Sequence, residues 1–149
     1  MEPYRANTFK EILIAPCGIN CGTCKVYLRE RNSCSGCRNS ELNKPKTRSL
    51  CKIKNCTELV GTVSGFCHEC GTFPCIFLKK IDKRYRLKYR TSLIENLISL
   101  RSEGMNKYLE GESERWICRN CGGVLSIHIP KCMNCNVEYN NTNFRNVKI

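Results

Sequence analysis

The cysteines are the residues most able to do chemistry in this chain, because they are numerous and many are separated by only two residues. The sequence contains 14 cysteines in 149 residues. Near the C-terminus, two pairs follow one another, Cys118 with Cys121 and Cys132 with Cys135. Each pair can supply two of the four ligands of a tetrahedrally coordinated metal ion, and four thiolates are a common ligand set for structural zinc. We therefore predict a zinc site at these four cysteines.

The residues around these pairs favour a particular local structure. Gly122 and Gly123 supply the permissive backbone that a metal-binding turn needs. The segment from Val124 to Ile129 alternates like a strand. We therefore expect a compact zinc ribbon. His128 lies between the pairs, but a fourth cysteine is already available, so we interpret this histidine as a strand residue.

Ten further cysteines lie in the first half of the chain and can be grouped in more than one way. Their spacing suggests two sets of four, namely Cys21, Cys24, Cys34 and Cys37, and then Cys51, Cys56, Cys67 and Cys70. Cys17 and Cys75 remain as alternative ligands or reactive thiols, and either can replace a member of its neighbouring set. The division between sites thus stays open, and we expect about three zinc ions, or two, in the whole chain.

The rest of the sequence indicates the redox state of these thiols. The apolar run from Ile12 to Ala15 is far shorter than the hydrophobic region of a signal peptide. No apolar stretch reaches the length needed to cross a bilayer, so we expect no membrane partner and a cytoplasmic location. In a reducing cytoplasm, closely spaced cysteines bind metals or act in redox chemistry more often than they form disulfides.

The net charge must be corrected for these metal sites before it is interpreted. The chain has 25 lysines and arginines against 13 acids, a formal charge of +12. Twelve thiolates on three zinc ions would add twelve negative and six positive charges, which lowers the total to about +6. About half of the excess positive charge is therefore offset by the net negative charge of the metal-bound thiolates.

The cysteine-free middle of the chain, residues 76–115, is the segment with helical periodicity. Its first helix is predicted from Pro74, with an apolar stripe formed by Phe77, Leu78, Ile81, Tyr85 and Tyr89. The opposite face is predicted to be basic and consists of Lys79, Lys80, Lys83, Arg84, Arg86 and Arg90, with Asp82 as the only acid.

Two further helices are predicted to follow. Ser92 and Glu95 form a capping box at the start of the second helix, and Gly104 should end it. A short third helix then leads from Met105 to Trp116. We thus predict a small, metal-rich α+β protein. Residues 1–75 form a zinc-knuckle region, residues 76–115 a helical segment with a basic face, and residues 116–149 a zinc ribbon and tail.

Several of these motifs together resemble a known family. They are the runs Ala15-Pro-Cys-Gly-Ile-Asn-Cys-Gly-Thr-Cys24, Cys34-Ser-Gly-Cys37, Cys51-Lys-Ile-Lys-Asn-Cys56, Phe66-Cys-His-Glu-Cys70 and Phe73-Pro-Cys75. The chain resembles a cysteine-rich family of small prokaryotic proteins described only as a domain of unknown function, over nearly its whole length. The resemblance implies zinc binding and frequent occurrence in anaerobes, and it supplies no established activity.

Three functions are compatible with the sequence. The first is a nucleic-acid or ribonucleoprotein binding module, in which the six cations of the basic helix contact the phosphates of RNA or DNA. The second is a protein-interaction scaffold that uses Tyr85, Tyr89, Leu93 and Leu97. The third is an iron-sulfur or thiol redox protein, suggested by the spacing of Cys17, Cys21 and Cys24. No catalytic residue can be assigned, and we favour a protein that is not an enzyme.

Overall fold

The protein is described by a computed structural model that covers residues 9–39 and 43–139. Its α-helices are α1 (Lys25–Leu28), α2 (Lys46–Ser49), α3 (Ile76–Tyr89), α4 (Leu93–Glu103) and α5 (Met105–Trp116). Short 3-10 helices lie at Glu11–Leu13, Cys21–Thr23, Thr57–Gly61 and Cys67–Glu69. Most of the predicted C-terminal tail, residues 140–149, is outside the described part. Within the described part, no helix combines the length and apolar character needed to cross a membrane.

The fold is rich in helix and poor in strand. In the two described ranges, β-structure consists of isolated antiparallel bridges that pair Ile14 with Asn20, Ile117 with Val124, and Lys131 with Glu138. The strand predicted from Val124 to Ile129 does not form. After Val124 the chain turns, because the Ser126 carbonyl accepts from Ile129 N–H at 3.4 Å and its hydroxyl accepts from His128 N–H at 3.2 Å.

Helix α3 confirms the predicted helix but presents a different face to the core. It begins at Ile76, with Cys75 rather than Pro74 adjoining its first turn. Leu78 and Tyr85 are buried, whereas Phe77 is 44% exposed. The buried face is therefore centred on the row that contains residues 78, 82, 85 and 89.

The buried row includes Asp82, so the prediction that this residue lies on the basic face opposite the core is wrong. Its carboxylate accepts hydrogen bonds from Ser92 Oγ at 2.8 Å and from Ile94 N–H at 3.0 Å, and it pairs with Arg86 Nε at 2.8 Å. Ser92 Oγ in turn accepts from Glu95 N–H at 3.1 Å, which confirms the predicted cap of α4. Asp82 thus joins the middle of α3 to the first turn of α4.

Helix α4 lies at the centre of the core, and the loop that contains Cys17 and Gly18 packs against it. Leu93 and Leu97 are fully buried. Gly18 packs directly on them, because a Cβ there would lie 2.8 Å from Leu93 O and 2.9 Å from Leu97 Cγ. Asn96 Nδ2 donates to Gly18 O at 3.0 Å. This close approach needs glycine, and it fixes Cys17 and its neighbours against the helices.

Helix α4 ends where the sequence predicts, and α5 follows at once. Gly104 has φ +83° and its N–H donates to Leu100 O at 3.0 Å. In α5, the buried carboxylate of Glu112 accepts from Asn20 Nδ2 at 3.3 Å and from Arg115 Nη1 at 2.8 Å. These hydrogen bonds hold the loop that contains Cys17 and Asn20 against α5. The C-terminal cysteines follow directly after the end of this helix.

Candidate metal centre

A tight backbone turn presents the first C-terminal cysteine pair. It starts directly after α5, where Cys118 follows the buried Trp116. Cys118 O accepts from Gly122 N–H at 2.8 Å, and Cys118 N–H donates to Gly123 O at 2.7 Å. Gly122 has φ +77°, a conformation that glycine adopts without strain. The turn therefore brings the Cys118 and Cys121 side chains to one side.

The second cysteine pair lies on a separate turn of the same type. Cys132 O accepts from Asn136 N–H at 2.8 Å, and Cys132 N–H donates to Val137 O at 2.8 Å. Asn136, at the position equivalent to Gly122, also has a positive φ of 64°. Asparagine tolerates this left-handed conformation better than most residues do. Two matching turns thus face one another with two thiols each.

The four sulfur atoms of these turns are arranged as a metal would need them. Cys118 Sγ lies 3.8 Å from Cys135 Sγ, and Cys121 Sγ lies 3.5 Å from Cys132 Sγ. All four lie within 4.8 Å of one another. A tetrahedral zinc with Zn–S bonds of about 2.3 Å places its sulfurs ~3.8 Å apart. The spacing is therefore compatible with one metal ion bound by four thiolates.

None of the chain's cysteines is joined in a disulfide. All 14 lie in the described ranges, and all are free. The sulfur separations in the C-terminal group are far longer than the S–S bond of about 2.05 Å. The thiols are thus available as ligands.

Two asparagines support the cluster across the gap between the turns. Asn134 Nδ2, in the second turn, donates to Cys121 Sγ of the first turn at 3.3 Å. Asn120 Nδ2, in the first turn, donates to Cys135 Sγ of the second turn at 3.4 Å. Sequence analysis missed both residues, although the repeated Cys-x-Asn-Cys pattern signals them. Such donors orient metal ligands and stabilise the thiolate form.

Hydrogen bonds and burial shift the pKa values of three of these thiols in different directions. The amide of Asn134, followed by the N–H of Gly123, lowers the pKa of Cys121 to about 6. The amide of Asn120 has the largest effect in lowering the pKa of Cys135. Burial raises the pKa of Cys132 to about 11. The lowered pKa values favour the thiolate forms of Cys121 and Cys135, and a bound cation would favour the thiolate form of the buried Cys132.

The C-terminal segment is anchored to the N-terminal cysteine region. Ile127 N–H donates to Thr23 O at 2.9 Å. His128 Nδ1 accepts from Lys25 N–H at 3.3 Å, and its Nε2 lies 3.3 Å from the Tyr85 hydroxyl. Burial is the main reason that the pKa of His128 falls to about 4. Both ring nitrogens thus face other parts of the chain, as a residue outside the ligand set would.

The N-terminal cysteines are less tightly gathered. Cys37 N–H donates to Cys21 Sγ at 3.4 Å. The hydrogen bond with Cys21 is the largest cause that lowers the pKa of Cys37 to about 6, and the Arg48 guanidinium acts in the same direction. Among the residues in the two described ranges, the C-terminal four form the one group whose ligand atoms all lie within 4.8 Å. The predicted N-terminal division therefore stays a prediction.

Most of the cations predicted for the basic face of α3 are exposed. Its exposed members are Lys79, Lys80, Lys83, Arg84 and Arg90. Arg86 differs, because it turns toward the core and contacts the carboxylates of Asp82 and Glu95. The apolar residues proposed for a protein-interaction scaffold are also turned inward: Leu93, Leu97 and Tyr85 are buried and Tyr89 is half-buried.

Comparisons with known proteins support part of the resemblance seen in the sequence. No curated protein and no solved structure matches the chain. Residues 13–80 match the model of a family described as a protein of unknown function, DUF3795. The match contains all ten N-terminal cysteines and ends before the C-terminal cluster. The first half of the chain is therefore similar to this cysteine-rich family, as its motifs predicted, and the family description assigns it no activity.

Proposed function

We propose that this chain is a zinc-binding protein and that Cys118, Cys121, Cys132 and Cys135 hold one structural zinc ion. The observation that carries this proposal is the gathering of four sulfurs within 4.8 Å of one another, with two pairs at 3.5 and 3.8 Å, close to the ~3.8 Å edge of a zinc–thiolate tetrahedron. A site with four protein thiolates leaves no open coordination position for substrate, so its role is structural rather than catalytic. The two turns would then be the knuckles of a zinc ribbon whose strands are reduced to single bridges.

Substituting the supporting asparagine tests this site without removing a ligand. Asn134→Ala removes the amide that donates to Cys121 Sγ, so we expect zinc affinity to fall about 10-fold to 100-fold. Competition with a chromophoric chelator measures the change. Met133→Ala is the matched control, because this neighbouring side chain is 49% exposed and should leave the affinity unchanged. Zinc bound equally well by all three proteins, or not bound at all, would contradict the proposal.

A second candidate function, binding of nucleic acid, is favoured by the exposed cations of α3. Lys79, Lys80, Lys83 and Arg84 are exposed on the side of α3 that is turned away from Leu78 and Tyr85, and the exposed Arg90 follows the end of the helix. The positions of Lys79 and Lys83 are one helical turn apart, so both can contact one phosphate backbone. We propose nucleic acid as the partner and use a labelled single-stranded RNA as the first probe.

The salt dependence of binding tests this second candidate. Each phosphate contact to a single strand contributes about 0.7 to the slope of log affinity against log salt concentration. Removing two contacts with Lys79→Ala/Lys83→Ala should therefore lower the slope by about 1.4. Fluorescence polarisation with a labelled RNA measures it. Lys107→Ala, an exposed lysine on α5, is the control and should keep the original slope. Salt-independent binding, or none, rules out the candidate.

A further inference from the structure

A pocket of about 320 Å³ lies between the end of α3 and the C-terminal segment. Aromatic side chains and two cations line it together. The lining includes Lys88, Tyr89, Arg90, His128, Pro130 and Tyr139. Sites for small molecules have volumes of about 300 to 1,000 Å³ and combine apolar walls with a few polar groups. The pocket is therefore large enough for one small ligand or one unit of a polymer.

The aromatic side chains of this pocket are held in defined positions. The ring centres of Tyr89 and His128 lie 4.9 Å apart, and the two rings are nearly perpendicular, at 85°. The Tyr139 hydroxyl donates to Ile129 O at 2.9 Å and also contacts Ser126 O. A flat heterocycle stacked on one ring would meet a perpendicular ring with its edge, and aromatic pairs favour both arrangements. Because the rings are already ordered, binding would cost little side-chain entropy.

The cations around the pocket favour an anionic ligand. Lys88 and Arg90 line it and are exposed. The C-terminal end of a helix carries about half a unit of negative charge, which these two full positive charges exceed. Burial is the main reason that the pKa of His128 is low, and the nearby Arg48 and Lys25 lower it further. Among residues of the two described ranges, the pocket lining includes no carboxylate.

We propose that this pocket binds one unpaired base of a nucleic-acid strand, with the attached phosphate on Lys88 and Arg90. A nucleotide combines a flat heterocycle with an anion, which matches the rings and the cations of the pocket. Bases stack on aromatic side chains where they are not enclosed in a duplex, so the strand is single. The inference rests on the second proposed function and deepens it, because it adds a base contact to the phosphate contacts of α3.

A neighbouring pocket favours a strand over a free nucleotide. It has a volume of about 330 Å³ and shares Pro130 and Tyr139 with the first pocket. Lys131 lines it together with Ile129 and Glu138. Two pockets that share a tyrosine can hold successive bases of one strand, as aromatic residues do in proteins that bind single strands. The Glu138 carboxylate offsets the Lys131 charge, so the first pocket is the stronger site for a phosphate.

Photo-crosslinking of the wild-type protein tests where the base binds. The protein is irradiated with a short single-stranded RNA that contains 4-thiouridine, and the modified residues are mapped by mass spectrometry. We expect cross-links at Tyr89, His128 or Tyr139. An unlabelled single strand should suppress them, whereas a duplex of the same sequence and free uridine monophosphate at equal nucleotide concentration should not. Cross-links confined to other residues, or equal suppression by the duplex or the free nucleotide, would overturn the inference.

Two pairs of variants measure the contributions of the ring and the charge. Tyr89→Ala should weaken RNA binding about 5-fold to 150-fold, the range for losing one ring that stacks on a base, whereas Tyr89→Phe keeps the ring and should bind as the wild type does. Lys88→Ala changes an exposed side chain and should lower the slope of log affinity against log salt concentration by about 0.7. Lys107→Ala is its matched control and should keep the slope. Fluorescence polarisation measures both quantities.

The outcomes separate this inference from the second proposed function. Lys79→Ala/Lys83→Ala tests the phosphate contacts of α3 alone. If that variant weakens a salt-dependent binding of RNA while Tyr89→Ala and Lys88→Ala leave it unchanged, the base pocket is overturned and the phosphate contacts stand. A wild-type protein that binds no RNA would overturn both.

Discussion

Withdrawing metal from the protein at neutral pH is expected to abolish its cooperative unfolding transition. A structural zinc contributes about 10 to 16 kcal/mol of apparent binding free energy at neutral pH. An ordinary domain has a total stability of only about 5 to 15 kcal/mol. The first half of this chain is especially dependent, since α1 and α2 have four residues each and cannot be stable alone.

Two optical signals can measure this loss. Circular dichroism follows the helices α3 to α5 during heating. Fluorescence follows the single tryptophan, Trp116, which is 1% exposed and lies two residues before the ligand Cys118. Chelation should remove the sharp thermal transition and expose this ring to water, and added zinc should restore both signals whereas magnesium should not. A metal-free protein that melts as sharply as the loaded one would refute the prediction.

Replacing Asp82 with alanine is expected to lower the free energy of unfolding by about 3 kcal/mol or more. The substitution removes the acceptor for Ser92 Oγ and Ile94 N–H and the partner of Arg86 Nε. Hydrogen bonds to a buried charge are worth about 1.5 to 3 kcal/mol each, and the groups left behind lose their partner. The cost is large because one carboxylate joins α3 to the first turn of α4.

Urea unfolding of the metal-loaded protein measures the effect of Asp82→Ala. Lys83→Ala is the matched control, because the next residue on α3 is exposed and its removal should change stability by less than about 0.5 kcal/mol. Asp82→Asn should lie between the two, since it keeps an acceptor but loses the charge. Equal stability of Asp82→Ala and the control would show that the carboxylate does not hold the helices together.

Features that depend on neighbouring residues could be predicted from the sequence. Ser92 caps α4 through Glu95 N–H, and Gly104 ends it, because both effects act within one turn of backbone. The C-terminal cysteines were also predictable, since two close pairs on short turns have few other ways to meet. Here local geometry nearly determines the outcome.

Features that depend on distant packing could not be predicted in the same way. Packing against α4 determines which side of α3 is buried. Phe77 therefore faces outward, whereas Asp82 lies in the contact between the helices and accepts a hydrogen bond from Ser92 Oγ. The grouping of the N-terminal cysteines depends on how loops fold back over the core. For this reason Cys75 lines one pocket together with Cys56, although the two residues are distant in sequence.

The anchoring of the C-terminal segment has a consequence for how the protein is made. Lys25 N–H meets the His128 ring across 103 residues of sequence, and Thr23 O receives Ile127 N–H. A ribosome releases the segment around Cys21 and Cys24 long before it has synthesised these partners. The first cysteines therefore emerge into the cell without the covering that the finished protein gives them. During that interval, the supply of metal competes with oxidants for the newly made thiols.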